Sequence, residues 1–259
     1  MPAVFLGHGS PMNALEENVY TGIWRRLGTV LPRPRAILVV SAHWTTHGTG
    51  VTAMAAPPTI HDFGGFPQAL FDLRYPAPGD PALAARVRAL LAPLEVHPDQ
   101  DWGLDHGAWS VLLKLYPQAD IPVVQLSLDV AQPSDYHYDL GARLAPLRDE
   151  GVLLLGTGNV VHNLRRMTRG DTPQWALDFN RKVRASLLGD DPRQLVHYAD
   201  WGPEAQLAVP SVEHFLPLLY VLGSRQPGEP ATIIADGIEA GSLSMLSVAV
   251  GAVEGMAAA

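Results

Sequence analysis

The stretch PRAILVVSAHW, residues 34–44, decides how the rest of the chain is read. Its aliphatic run, Ala36 to Val40, shows no alternation of apolar and polar side chains, the pattern of a strand covered on both faces. Ala3 to Leu6, Val51 to Ala55, Ile121 to Leu126, Val152 to Leu155 and Ala231 to Ala235 also read as strands, because each is short, β-branched or aliphatic, and bounded by Gly, Pro or polar residues. Between them, Val19 to Leu31, Pro81 to Leu91, Tyr136 to Arg148 and Thr172 to Leu188 carry helical spacing. After Asp80, the residues Leu83, Val87, Leu90 and Leu91 recur every three to four positions, and Asp80 followed by Pro81 suits a cap and a first turn. Strand and helix in alternation predict an α/β fold: a single domain over residues 1–259, with a mostly parallel central sheet flanked by helices.

A chain of 259 residues, 47% hydrophobic and 17% charged, can bury a core without covalent staples, which excludes disorder as its dominant state. Eighteen Lys and Arg stand against 26 Asp and Glu, for a net charge of −8. The basic residues form no block longer than a pair such as Arg25 and Arg26 or Arg165 and Arg166, so no nucleic-acid partner is expected. There is no cysteine, which removes disulfides, thiolate zinc sites and Cys nucleophiles, and leaves His, Asp and Glu to hold any metal. No window approaches the roughly 18 uninterrupted apolar residues of a membrane helix, and the first residues lack a basic stretch followed by a long apolar run. The expectation is a cytoplasmic protein without membrane association; its oligomeric state is not legible. Pro-rich stretches such as Leu31 to Arg35 are too short to link separate domains. Ala56 to Asp72, with Pro57, Pro58, Gly64, Gly65 and Pro67 among aromatic residues, reads as a long shaped loop, and Ala257 to Ala259 as a frayed end.

Ten histidines are distributed with a pattern. Any one of them alone is by default a surface or packing residue. However, His8 and His43 closely follow strand-like runs, and His162 comes seven residues after Leu155. Parallel strands put their carboxyl ends on one sheet edge, where open α/β proteins place ligands, so these three imidazoles are expected to converge. His8 has Gly7 and Gly9 beside it, which frees the backbone and is expected to leave the ring accessible. The turn Gly156, Thr157, Gly158, Asn159 before His162 lacks both a basic residue and the dinucleotide glycine spacing, so it is a weak phosphate cradle. His106, in Asp105, His106, Gly107, is expected in a loop leading into the helical run Trp109 to Tyr116, where imidazole can do acid/base work near neutral pH. His214 follows Ser211, Val212 and Glu213, with Ser211 suited to a helix N-cap. His61, in Ile60, His61, Asp62, Phe63, is a candidate substrate-loop residue or a turn residue bonded to Asp62. His47, His97, His137 and His197 have no supporting pattern and are expected on the surface.

Neutral imidazole suits zinc, iron, copper and nickel, and a cysteine-free cluster with room for a carboxylate is compatible with non-haem Fe(II) or catalytic Zn(II). A serine hydrolase fits poorly, since no Gly-x-Ser-x-Gly occurs.

The segments Phe5 to Ala14, Val39 to Trp44, Pro58 to Pro67, Leu104 to Val111, Gly156 to Leu164 and Pro210 to Leu222 together resemble the class III extradiol ring-cleavage dioxygenases of the LigB type, in the 4,5-DOPA extradiol dioxygenase-like branch. The similarity runs from about Pro2 to about Gly251, with the motifs in the expected order. It implies a one-domain α/β fold with one metal at the end of the sheet, held by His8 and His43. For the third ligand it implies His214, with Glu213 beside it, while broader relatives use a carboxylate. His162 matches a position that is either a further ligand or an acid/base over the oxygen site, and His106 matches the proton acceptor for the catechol. The implied activity is insertion of O2 into a small, L-DOPA-like catechol with ring opening on Fe(II); gathering both reactants on one ion removes most of their encounter entropy. Zn(II) is an alternative occupant. Two other functions stand against this one: a zinc hydrolase using the same histidines, and a metal- or phenol-binding protein without turnover. For a substrate carboxylate the basic residues to weigh are Arg25, Arg26, Arg74, Arg165 and Arg166, with solvated surface charge as the default for each.

Overall fold

The fold was analysed in a computed structural model that describes residues 1–189, 191–253 and 255; the expected fraying of Ala257 to Ala259 falls outside the described residues. Among the described residues the strands are β1 (Ala3–Gly7), β2 (Ala36–Thr45), β3 (Thr49–Thr52), β4 (Val96–Asp99), β5 (Val123–Leu128), β6 (Val152–Gly158), β7 (Ala231–Ala235), β8 (Ile238–Glu239), β9 (Leu243–Ser244) and β10 (Ser247–Val250). The helices are α1 (Val19–Val30), α2 (Gln68–Phe71), α3 (Pro81–Leu91), α4 (His106–Leu115), α5 (Ser134–Leu144), α6 (Pro146–Asp149), α7 (Gln174–Leu188), α8 (Pro203–Ala208) and α9 (Leu216–Gly223).

Eight strands form one sheet in the order β4-β3-β5-β2-β6-β1-β10-β7, and β8 with β9 makes a small separate ribbon. The central neighbours β5, β2, β6 and β1 are all parallel. Antiparallel pairing begins only at the flanks, where β3 meets β5 and β10 meets β1 and β7. The unbroken aliphatic run in β2 has a direct cause. Ile37 and Val39 enter one apolar cluster, with Trp24 and Leu27 of α1 and Trp109 and Leu112 of α4, while Leu38 and Val40 enter a second one, with α3, α5, α7 and α9. A strand sandwiched between two helical layers has no wet face and so shows no polar alternation.

Local signals behave as expected at several ends. Asp80 caps α3 by accepting from the Leu83 amide at 2.9 Å, with Pro81 in the first turn. The expected Tyr136 to Arg148 helix is instead α5 and α6, divided at Ala145 and Pro146, where proline cannot donate to the preceding turn. β2 runs on to Thr45, so His43 lies on the strand. β4 and β10 escaped the sequence pattern, the first being four residues that include His97 and Pro98, the second opening on a serine. His137 is a correction: it is fully buried, with its Nδ1 3.1 Å from the Tyr220 hydroxyl, whereas His47, His97 and His197 are exposed as expected. No described helix is long and apolar enough to cross a membrane.

Candidate active site

The sheet order puts β2, β6 and β1 side by side and parallel, so their carboxyl ends share one edge. His8 follows β1 directly, His43 stands near the end of β2, and His162 lies just beyond β6, its amide donating to the Ala208 carbonyl at 2.8 Å. His106 joins them as the first residue of α4 rather than as part of the preceding loop, because Asp105 caps that helix by accepting from the Ala108 amide at 3.1 Å. His214 arrives from the segment before α9; Ser211 does not cap this helix but donates its hydroxyl to Glu213 at 2.7 Å.

The five rings form one cluster. His8 Nε2 and His43 Nε2 are 3.1 Å apart, and the His43 ring centroid lies 3.8 Å from His106 and 5.0 Å from His214. His162 lies flat on His214, with centroids 3.4 Å apart and planes within 5°. His61 stays outside: its Nε2 meets the Leu73 carbonyl at 3.1 Å and its ring packs beside Phe63, Phe71 and Trp109, without the bond to Asp62 considered above.

Asp62 itself enters the cluster. One oxygen accepts from the His106 backbone amide at 2.9 Å, the other lies 2.9 Å from His106 Nδ1 and 3.4 Å from His43 Nδ1. Glu213 does the same for His214 at Nδ1, 3.2 Å away. Sequence reading set Glu213 beside His214 without this role and missed that of Asp62, since nothing in the chain hints that Asp62 would turn away from His61 toward two distant histidines. Behind the rings, buried Asp105 accepts from Ser41 Oγ at 2.7 Å and from the Gln125 amide. Two glycines permit the close approach of these elements. A Cβ at Gly107 would stand 2.8 Å from His43 Cδ2, and one at Gly158 would run into the His214 carbonyl oxygen. The latter glycine therefore serves backbone contact rather than a phosphate. His8, expected to be accessible, is 1% exposed and opens only toward the cluster.

Burial is the main force on these protonation states. It pushes His8 and His43 well below the usual histidine value, with neighbouring imidazoles adding to the effect, and takes His162 down to about 3. Burial also lowers His214, against the opposing pull of Glu213. For Asp62 burial acts upward, but the bonds from His106 outweigh it and the carboxyl ends below its usual value. Glu213 follows the same balance, with His214 and Ser211 bringing it to about 2. Asp105 goes the other way, to about 6, through burial and the nearby Asp62 charge. His8, His43, His162 and His214 are thus held as neutral imidazoles, with the ionised carboxylates Asp62 and Glu213 beside the cluster.

Such a site fits a metal. One ring nitrogen each of His8, His43 and His214 lies within 4.8 Å of the others. His214 Nε2 is buried with no hydrogen-bond partner, a costly condition that cation binding there would relieve, and His8 Nε2 faces His43 Nε2 at 3.1 Å. The rings border a cavity of about 550 Å³ whose other walls include Phe63, Phe66, Leu164, Met167 and Leu243. That combination of aromatic walls with a few convergent polar groups suits a small aromatic ligand.

A buried polyhistidine cluster at the carboxyl edge of a parallel sheet defines a metal-dependent α/β enzyme. Comparison identifies which: the family profile of the catalytic LigB subunit of aromatic ring-opening dioxygenase matches residues 2–251, and the chain belongs to that family. It is 59% identical to the 4,5-DOPA dioxygenase extradiol of Escherichia coli, over 97% of this chain and 95% of that one. The beet (Beta vulgaris) protein of the same name is 38% identical over 93% and 92% of the two chains. A crystal structure of an uncharacterized Escherichia coli protein superposes with a TM-score of 0.86 at 53% identity, covering 97% of this chain and all of the other. The chain is thus an aromatic ring-opening dioxygenase, which sets aside the hydrolase and the binding protein without turnover.

Proposed function

We propose that this chain, acting as one catalytic domain over residues 1–259, opens a small catechol with an L-DOPA-like side chain by extradiol insertion of O2, using Fe(II) held by His8, His43 and His214. The names of the relatives support the substrate class. The observation that carries the ligand set is the convergence of three neutral imidazoles, with His8 Nε2 and His43 Nε2 face to face and His214 Nε2 buried and unpartnered. His162, which the resemblance left as ligand or acid/base, is assigned to proton transfer: its ring stacks on the face of His214, and it groups with Glu213 and His214 rather than with His8 and His43. When bound, Fe(II) would supply the Lewis-acid and redox chemistry that lets a diol react with O2.

The chain's own residues do the rest. The Nδ1–H of His106 donates to Asp62, which fixes the tautomer and leaves Nε2 as an acceptor for a catechol hydroxyl proton. The same Asp62 oxygen lies 3.4 Å from His43 Nδ1, on the side of the ring away from His8, and so favours the rotamer that turns Nε2 toward His8. Glu213 braces His214 through Nδ1 and leaves Nε2 for the metal. Phe63, Phe66, Leu164 and Met167 form apolar walls against which the ring can pack. A reducing cytoplasm suits a site that needs ferrous iron. The test is to load the protein with Fe(II) without oxygen, add L-DOPA and admit air. A yellow ring-opened product with matching O2 uptake is expected. Absence of O2 uptake across a catechol panel, with ester or amide hydrolysis by the Zn(II) form, would sink the proposal.

A further inference from the structure

The turn after β6 divides its side chains between two cavities. Leu164 and Met167 line the histidine cavity, whereas Arg165 and Arg166 line a neighbouring cleft of about 540 Å³. His162, Leu164 and Glu213 belong to both walls, so the cleft adjoins the place where the catechol ring would lie.

The two arginines differ from most others in the molecule. In this acidic chain, Arg25 pairs with Glu17, Arg33 with Asp120, Arg86 with Glu150, and Arg148 with Glu229. Arg26 donates to the Gly255 carbonyl, and Arg74 to the carbonyls of Phe71 and Leu73. Arg165 and Arg166 are exposed, and their guanidiniums have no hydrogen-bond or ion-pair partner among the described residues. Of the five arginines weighed for a substrate carboxylate, only these two border the cleft. The remaining charged group in its wall is Glu213, whose Oε1 is engaged by Ser211 and His214. That carboxylate repels an anion from its own side and favours the arginine side.

We propose that this cleft is a subsite for a carboxylate on the substrate's side chain, read by the guanidiniums of Arg165 and Arg166 while the ring sits among Phe63, Leu164 and Met167. Guanidinium forks match a carboxylate in shape and charge, and a second fork beside the first adds to both. The inference rests on the ring-opening reading but concerns a different set of contacts: it accounts for selection among catechols rather than for cleavage.

The test is equilibrium binding without oxygen, by calorimetry on the Fe(II)-loaded protein, so that recognition is read apart from turnover. Three probes separate ring, chain length and charge: 3-(3,4-dihydroxyphenyl)propanoate, dopamine and 4-methylcatechol. The propanoate is expected to bind at least about tenfold more tightly than 4-methylcatechol, a preference that shrinks with added salt. In the Arg165→Ala/Arg166→Ala double variant this ratio is expected to fall about tenfold, with no weakening of dopamine relative to 4-methylcatechol. The Arg165→Lys/Arg166→Lys variant should keep part of the preference, since it retains charge and loses the fork. An unchanged ratio in the alanine variant, or equal losses for all three probes, overturns the subsite. Admitting air afterwards tests ring opening separately: tight, arginine-dependent binding without O2 uptake would defeat the catalytic reading and leave the subsite standing.

Discussion

Asp62 holds His106 at two points, its backbone amide and its ring Nδ1, both at 2.9 Å, and reaches 3.4 Å to His43 Nδ1 with the oxygen that meets the His106 ring. One carboxylate thus orients a proposed metal ligand and the proposed proton acceptor together. Replacing it by Asn keeps the size and one acceptor but offers the His106 ring an N–H, which disfavours the tautomer that exposes Nε2 as a base. Asp62→Asn is expected to lower kcat by about 10- to 100-fold while leaving KM within a few-fold. Steady-state kinetics alongside a melting curve checks this, and a fold-intact variant with full kcat would remove Asp62 from the mechanism.

His106 and His8 should separate in a metal assay. His106 opens the cavity wall and is engaged at Nδ1 by Asp62, so His106→Ala is expected to keep its metal and lose roughly 100-fold or more in turnover. His8→Ala removes one of the three convergent nitrogens and is expected to lose metal as well as turnover. Iron content per chain after gel filtration distinguishes them; iron loss in the His106 variant reassigns that residue as a ligand.

Much of this arrangement was legible in the chain, for physical reasons that also mark where reading stopped. The strand runs announced themselves because β1, β2 and β6 are buried on both faces, and parallel order then brought His8, His43 and His162 to one edge. Helix ends with a strong local signal, such as Asp80 and Pro81, fell where expected. Pairings set by tertiary contact left no such mark. Asp62 lies 44 residues from His106, and nothing in its neighbours says that it turns inward while His61 turns to Leu73. The burial of His137 was equally hidden, because a polar stretch of α5 becomes interior only when Tyr220 of α9 packs against it. The weak phosphate signal at Gly158 likewise says nothing of its packing role, since the His214 backbone that lies against it comes from a distant part of the chain.

His137 gives a pH dependence of stability. Burial lowers it from 6.5 to about 4 in the folded chain. Between those two values the unfolded chain binds a proton that the folded chain does not, so stability falls as pH drops from about 6.5 toward 4 and this contribution levels off below. The gap corresponds to roughly 3 kcal/mol at most. His137→Gln cannot titrate, so the difference in unfolding free energy between wild type and variant should shrink by an amount of that order as pH falls through this window. Urea melts at several pH values on metal-free protein would read it, and a difference independent of pH would mean that His137 is not held neutral.

Gly158→Ala tests whether backbone packing, rather than any single side chain, sets the ligand geometry. Gly158 ends β6, and the next amide, that of Asn159, donates to the His214 carbonyl at 2.9 Å. A methyl group at position 158 meets that same carbonyl oxygen, which has backbone on both sides and no rotamer through which to yield. Either β6 or the His214 segment must shift, and β6 is pinned between β2 and β1 in the middle of the sheet. The displacement therefore falls on His214, carrying its Nε2 away from His8 and His43. The expected cost is about 1–3 kcal/mol of stability, as for other overpacked interiors, together with weaker iron retention and a loss of turnover that excess Fe(II) partly restores. A chelator competition assay beside the melting curve separates the two effects. A variant that is destabilised yet holds iron as tightly as wild type would show that the shift is absorbed elsewhere than at His214.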